Sequence, residues 1–174
     1  VTLTGIKVDQ TQPVFVSSSG SFTSTTVGTA YIQSTRPDLA VAALEAGGDV
    51  SLASPASIRS AGTNDVPITA GGDLRLLAGT GDIVGNAATG TPLVVQVTGT
   101  LTSANAGGNV RLEQHAGDLR FDRIVGGAEV QLRIPSGGLY QRTAGTGIQG
   151  DELSIEVDGA VGTPSEFVEI LLDS

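Results

Sequence analysis

The sequence predicts an all-β chain wound into a parallel β-helix of roughly eight coils. Three observations predict it. A unit of two glycines, one or two mostly polar residues and an apolar-x-apolar triplet recurs along the chain. The intervals between units hold short strands and turns rather than the helical crossover that other parallel sheets need. The composition supplies only a narrow aliphatic core, with 25 glycines, 3% aromatic residues and no Trp, Met or Cys among 174 residues.

The first 46 residues are expected to form irregular or edge coils. Val1-Thr-Leu-Thr-Gly-Ile-Lys-Val8 alternates apolar and polar residues, as a half-buried strand does, and Pro13-Val-Phe-Val16 follows it. The Ser/Thr/Gly-rich stretch from Ser17 to Gly28 reads either as a flexible linker or as solenoid strands. Phe22 and Val27 favour strands that continue into Ala30-Tyr-Ile32. Asp38 to Ala46 carries good helix formers behind an N-cap-like aspartate, yet Leu39/Val41 also alternates, so a short helical turn and a strand are both open there.

Residues 47–174 are expected to form the regular coils of the same single unit. Gly47-Gly48, Gly71-Gly72, Gly107-Gly108 and Gly126-Gly127 mark corners, where glycine permits φ > 0 and close approach of successive backbones. Val50/Leu52, Leu74/Leu76, Val110/Leu112 and Val130/Leu132 follow these corners and are expected to stack in columns, joined by Leu119 and Phe121. The stretch from Gly71 to Gly107 is long enough for an additional coil, built from Thr91–Val97 and Thr100–Thr102. At about 4.8 Å per rung such a stack makes a rod on the order of 40 Å long. Leu171 and Leu172 fall on an open edge, so the chain reads as a segment of a longer repetitive polypeptide.

Charge and composition exclude several classes. The net charge of −9, with 18 acidic residues, 9 basic ones and Lys7 as the one lysine, disfavours nucleic-acid binding. No apolar run approaches the ~18 residues of a membrane span. Without cysteine there is neither a disulfide framework nor a thiolate metal site.

Each residue able to do chemistry also has a simpler role. Asp118, Arg120 and Asp122 alternate with Leu119 and Phe121 and so share one strand face. A polysaccharide-cleaving site there requires a placed pair of carboxylates, and no neighbouring coil supplies the second. His115, the single histidine, reads as a corner residue. Asp49, Asp73, Asp82 and Asp151 each flank a glycine corner without the calcium-binding nonapeptide, so turn chemistry accounts for them. Arg75 and Arg111 are expected in the same outward slot of two coils. Tyr31 and Tyr140 are the only phenols able to stack on a sugar. No catalytic residue, metal ligand or cofactor-binding motif is assigned.

Gly47-Gly-Asp-Val-Ser-Leu52, Gly81-Asp-Ile-Val-Gly85 and Gly90-Thr-Pro followed by apolar alternation resemble the repeat stalks of filamentous-haemagglutinin-like adhesins, exoproteins of bacterial two-partner secretion, over about residues 47–174. The resemblance implies a right-handed β-helix, secretion to the bacterial cell surface or beyond, and a non-enzymatic role as a fibre or adhesin stalk. Its implied partners are adjacent repeats or copies stacked end to end, and host or matrix glycans. The Asn-Pro motifs of that family's secretion module are missing from this sequence.

Overall fold

The computed structural model describes residues 2–4, 13–62, 66–86 and 88–172; the remainder of the alternating Val1–Val8 stretch, Lys7 included, lies outside them. The described residues form strands and no helix. In chain order these are β1 (Thr2–Thr4), β2 (Val14–Val16), β3 (Phe22–Thr26), β4 (Ala30–Ser34), β5 (Leu39–Ala46), β6 (Val50–Ser54) and β7 (Ile58–Ser60). Then come β8 (Ile68–Ala70), β9 (Leu74–Ala78), β10 (Ile83–Val84), β11 (Leu93–Val97), β12 (Thr100–Ala106), β13 (Val110–Gln114) and β14 (Leu119–Phe121). The last are β15 (Ile124–Gly126), β16 (Glu129–Ile134), β17 (Leu139–Gln141), β18 (Ile148–Gly150), β19 (Glu152–Val157) and β20 (Ile170–Leu172).

Every strand-to-strand pairing is parallel, and the strands divide between two 10-stranded sheets, so the chain winds as a β-solenoid of about 7 turns. Sheet A runs from β1 through β3, β5 and β13 to β16 and β19, and sheet B from β2 through β4, β6, β9 and β12 to β18 and β20. Some rungs are split. β5 pairs with β7 through Leu39↔Ile58 and with β8 through Leu44↔Ile68. β10 and β11 lie on β7 and β8 in the same way, and β12 carries both β14 and β15.

Alternation produces the strands. In β6, β9 and β13 the inward residues are buried and the intervening ones are half-buried or exposed. The ten apolar residues singled out above, from Val50 to Leu132, are all at most 2% exposed. Each such burial contributes roughly 1.5–3 kcal/mol, which lets a bore of aliphatic columns hold the coils together without many aromatic rings. The columns differ from the single set expected. Val50↔Leu74 and Leu52↔Leu76 stack in sheet B, whereas Val110↔Val130 and Leu112↔Leu132 stack in sheet A. The glycine corners do not all turn the same way, and the turns at 35–38 and 55–57 contain no glycine. Gly47-Gly48 and Gly71-Gly72 turn from sheet A into sheet B, Gly107-Gly108 turns the other way, and Gly126-Gly127 closes β15 and leads into β16. The Gly71 to Gly107 interval is therefore one and a half coils, and the coil-mate of Gly72 is Gly99, whose N–H donates to the Gly72 carbonyl at 3.0 Å.

The corner glycines serve close approach alone. None of the eight has a positive φ; the glycines that do are Gly90, Gly117, Gly137, Gly145, Gly147 and Gly162. A Cβ on Gly71 would run into the Gly47 carbonyl, and one on Gly127 into the Gly107 carbonyl. Backbone stacks directly on backbone there: the Gly48 N–H donates to Gly28 O at 3.1 Å and the Gly72 N–H to Gly48 O at 3.0 Å.

The Asp38–Ala46 stretch resolves as a strand, because Leu39, Val41, Leu44 and Ala46 each face the bore. Asp38 caps no helix. Its Oδ1 accepts the Ser57 N–H of the next coil at 3.3 Å. The Ser/Thr-rich stretch holds β3, with Phe22 1% exposed, while Val27 stands at a corner and is 93% exposed.

Candidate functional site

The corner aspartates come first, because they set what the surface has to spare. Asp49 Oδ1 accepts the Asp73 N–H at 2.9 Å, and Asp73 Oδ1 in turn accepts the Thr100 N–H at 2.8 Å. At the opposite corner Asp82 Oδ1 accepts the Asn109 N–H at 2.7 Å, and Asn109 Oδ1 accepts the Glu129 N–H at 3.2 Å. Each side chain thus bonds the backbone of the following coil rather than its own turn. Asp151 is exposed beside Gly150. Among the described residues no group of three or more His, Cys, Asp or Glu is placed to hold a metal ion. No helix of the described chain is long and apolar enough to cross a membrane.

One groove on the outer face of sheet B gathers several of the residues weighed from the sequence. Asp118, Arg120, Tyr140, Gln141, Arg142, Thr163 and Glu166 line a hollow of about 370 Å³. Arg120 and Tyr140 are register partners on β14 and β17, which brings a cation and a phenol onto adjacent rungs. A Cβ on Gly138 would strike the Tyr140 ring, so the phenol lies down over that glycine. Arg142 Nη1 donates to Thr100 Oγ1 at 2.7 Å, two coils back. The Asp118 carboxylate already has two partners, the Gly138 N–H at 2.9 Å and Arg120 at 3.7 Å. Asp122 stands apart from the face shared by Asp118 and Arg120, since the strand ends at Phe121; its Oδ1 accepts the Thr143 hydroxyl at 2.8 Å in the following turn.

The larger groove was not visible in the sequence. It measures about 760 Å³ and lies beside the loops that leave sheet A at 61–67 and 85–92, with Arg59, Pro67, Asn86, Pro92, Glu113 and Arg133 in its walls. Its cations are engaged: Arg59 pairs with Asp38 at 3.0 Å and Arg133 with Glu113 at 2.9 Å. The hydrogen bond that Arg133 donates to Glu113, reinforced by the charges of Glu113 and Glu156, raises the Arg133 pKa above its ordinary value. The sequence signal for this groove is the longer interval of the two split rungs, each with a proline at its loop.

The remaining candidates are dispersed. Arg75 and Arg111 lie on different sheets rather than in one slot. Arg111 Nη2 pairs with Glu129 at 2.6 Å and Nη1 donates to Gly90 O at 3.2 Å. Arg75 has no carboxylate within ion-pair distance among the described residues, and shares a shallow hollow with Tyr31. His115 is exposed at a corner, its N–H donating to Val95 O at 2.8 Å. Comparison with known protein families, with curated proteins and with solved structures finds no match to this chain.

Proposed function

We propose that the chain is a structural or adhesive segment of a bacterial extracellular β-helical filament or adhesin, a stalk unit without enzymatic activity, exported to the cell surface or beyond. The observation that supports this reading most is the inter-coil bonding of the corners. Carboxylates and amides that a binding or catalytic site would leave available are spent on the N–H groups of the next coil, from Asp38 to Ser57 and from Asp82 to Asn109. Such a stack supplies length and stiffness, and it gains stability from each neighbour added. The test is an image of the native assembly by cryo-electron microscopy. A continuous rod with an axial repeat of ~4.8 Å supports the stalk reading. A compact particle with this chain folded against other domains removes it.

A second reading has its own observation. The Arg120–Tyr140 pair offers a flat phenol beside a cation, a combination suited to stacking on a sugar ring and holding an acidic substituent. A glycan array would identify an acidic glycan whose binding is lost in Tyr140→Ala; an array without hits removes this reading. Turnover of acidic or neutral polysaccharides, abolished by Asp118→Ala, would replace both readings with an enzyme.

A further inference from the structure

One column on the outer face of sheet B carries no charge. Its register partners, rung after rung, are Gln33, Ala53, Leu77, Asn105, Val125 and Gln149. Each is flanked on its own strand by buried residues, so each points away from the bore. No strand of sheet B contains an acidic residue, although the chain as a whole has a net charge of −9. The strand glutamates, Glu45, Glu113, Glu129, Glu152 and Glu156, all lie in sheet A. Sheet B is therefore the face on which two copies of the chain repel each other least.

The column also matches itself read backwards. Consider a two-fold axis along the strand direction, midway between the rungs of Leu77 and Asn105. A second copy in reversed orientation then sets Gln149 opposite Gln33, Val125 opposite Ala53 and Asn105 opposite Leu77. The rungs beyond add Phe15 against Leu171. Amide meets amide and apolar meets apolar in all but the central pair. Where Ala53 is small the face has a hollow of about 350 Å³, lined by Gln33, Ala53, Pro55, Leu77 and Asn105, and Val125 is the residue that the axis delivers to it. A copy running in the same direction would instead set Ala53 on Ala53 and leave the hollow empty. The central pair has its own need, because Asn105 Oδ1 is buried without a hydrogen-bond partner among the described residues. Across the axis the two Asn105 side chains stand one rung apart, ~4.8 Å along the stack, where a turn about χ2 lets the carboxamides pair. Arg75 does not oppose this arrangement: it is the register partner of Ser103, so it falls opposite the copy's Ser103.

We propose that the outer face of sheet B is a self-association surface on which a second copy of the chain lies side by side in reversed orientation. The aliphatic contacts supply the attraction, and the amide pairs fix the register, as a single buried Asn does between paired helices. A strip about 38 Å long and two outward residues wide buries on the order of 1,000 Å² in total, the lower end of specific interfaces. The pair accordingly forms at micromolar concentration and separates on dilution. The contact is lateral and uses neither end of the stack, so it stands whatever precedes or follows these coils and whether or not the chain serves as a stalk.

The chain has no cysteine, so single thiols placed on this face report the arrangement directly. Sedimentation velocity of the 174-residue chain between micromolar and millimolar concentration is expected to show a monomer–dimer equilibrium, weakened at least tenfold in Ala53→Asp. Gln33→Cys mixed with Gln149→Cys is expected to join through a short bis-maleimide, and Asn105→Cys to join to itself. Gln33→Cys alone should not join, because the two copies of residue 33 lie five rungs, about 24 Å, apart. A monomer at millimolar concentration overturns the proposal. So does Gln33→Cys joining to itself as readily as to Gln149→Cys, since the copies then run in the same direction. A dimer as tight in a folded Ala53→Asp chain as in the unaltered one overturns it too. The crosslinking outcome stands independently of whether Ala53→Asp folds.

Discussion

Asp82 reaches across the corner to the following coil, where its Oδ1 accepts both the backbone N–H of Asn109 at 2.7 Å and the Asn109 side-chain amide at 3.1 Å. The carboxylate occupies the space that a Cβ on Gly108 would take. The recurrent Gly-Gly-Asx unit is therefore two halves of one contact: the acidic or amide residue of one coil needs the glycine of the next.

That coupling predicts a double-mutant cycle. Asp82→Ala removes two hydrogen bonds and is expected to cost about 1–3 kcal/mol. Gly108→Ala alone forces the carboxylate out and should cost a similar amount, about 1–3 kcal/mol. With the Asp82 carboxylate gone, that Cβ would stand 3.3 Å from the Gly81 carbonyl oxygen. The combined variant should thus recover about 1 kcal/mol or more relative to the sum of the singles, read from urea unfolding. Strict additivity would disprove the coupling.

Corner glycines should differ in their tolerance. A Cβ on Gly28 meets open space, and its φ is not positive. Gly28→Ala is expected to leave stability unchanged or raise it by about 0.4–1 kcal/mol, by restricting the unfolded chain. Gly127→Ala presses on the Gly107 backbone, which no side-chain truncation can relieve, and should lower the thermal midpoint whatever second change accompanies it.

Gln114 is 1% exposed, and the other described residues buried that deeply are apolar. Its Nε2 donates to Val97 O and Ala116 O, each at 3.0 Å, and its Oε1 accepts the Val97 N–H at 3.3 Å. The side chain thus takes the place of ladder bonds that the end of β11 lacks above it. Gln114→Leu keeps the volume and deletes the bonds, so it should destabilise by about 1–3 kcal/mol for each buried group left alone. Hydrogen exchange of the Val97 amide should quicken selectively; unaltered exchange would refute the assignment.

Two arginines should respond differently to salt. The Arg111–Glu129 pair is part-buried and further tied to Gly90 O, whereas Arg133 is 47% exposed between its two glutamates. Arg133→Ala should cost about 0.2–1 kcal/mol at low ionic strength and nearly nothing in 1 M salt, where charges are screened within about 3 Å. Arg111→Ala should keep most of its cost in salt, as paired denaturation curves would show.

The winding was legible because it depends on local facts. Glycine pairs at corners, two-residue alternation and the lack of helical crossovers each follow from nearest neighbours in sequence, and together they leave few ways to close a core. What was not legible depends on which side of the coil a corner lies. Gly47-Gly48 and Gly107-Gly108 read alike but turn in opposite directions, so Arg75 and Arg111 were placed together and are in fact on separate sheets. Asp38–Ala46 was ambiguous because alanine and leucine suit a helix in isolation; pairing with β3, β7 and β8 overrides that preference. The Arg120–Tyr140 adjacency depends on a register twenty residues apart, and the larger groove on two loops that meet only after winding.

The split rungs carry one more consequence. Because β5 bonds Ile58 on one side of a loop and Ile68 on the other, alignment after the loop is dictated by the strand beneath, whatever the number of residues in between. Loop length is thereby uncoupled from the phase of everything downstream. Sequence can be inserted or lost at 61–67 or 85–92 and the chain returns to step, so such a molecule can diversify its flanks generation after generation while its axis stays the same.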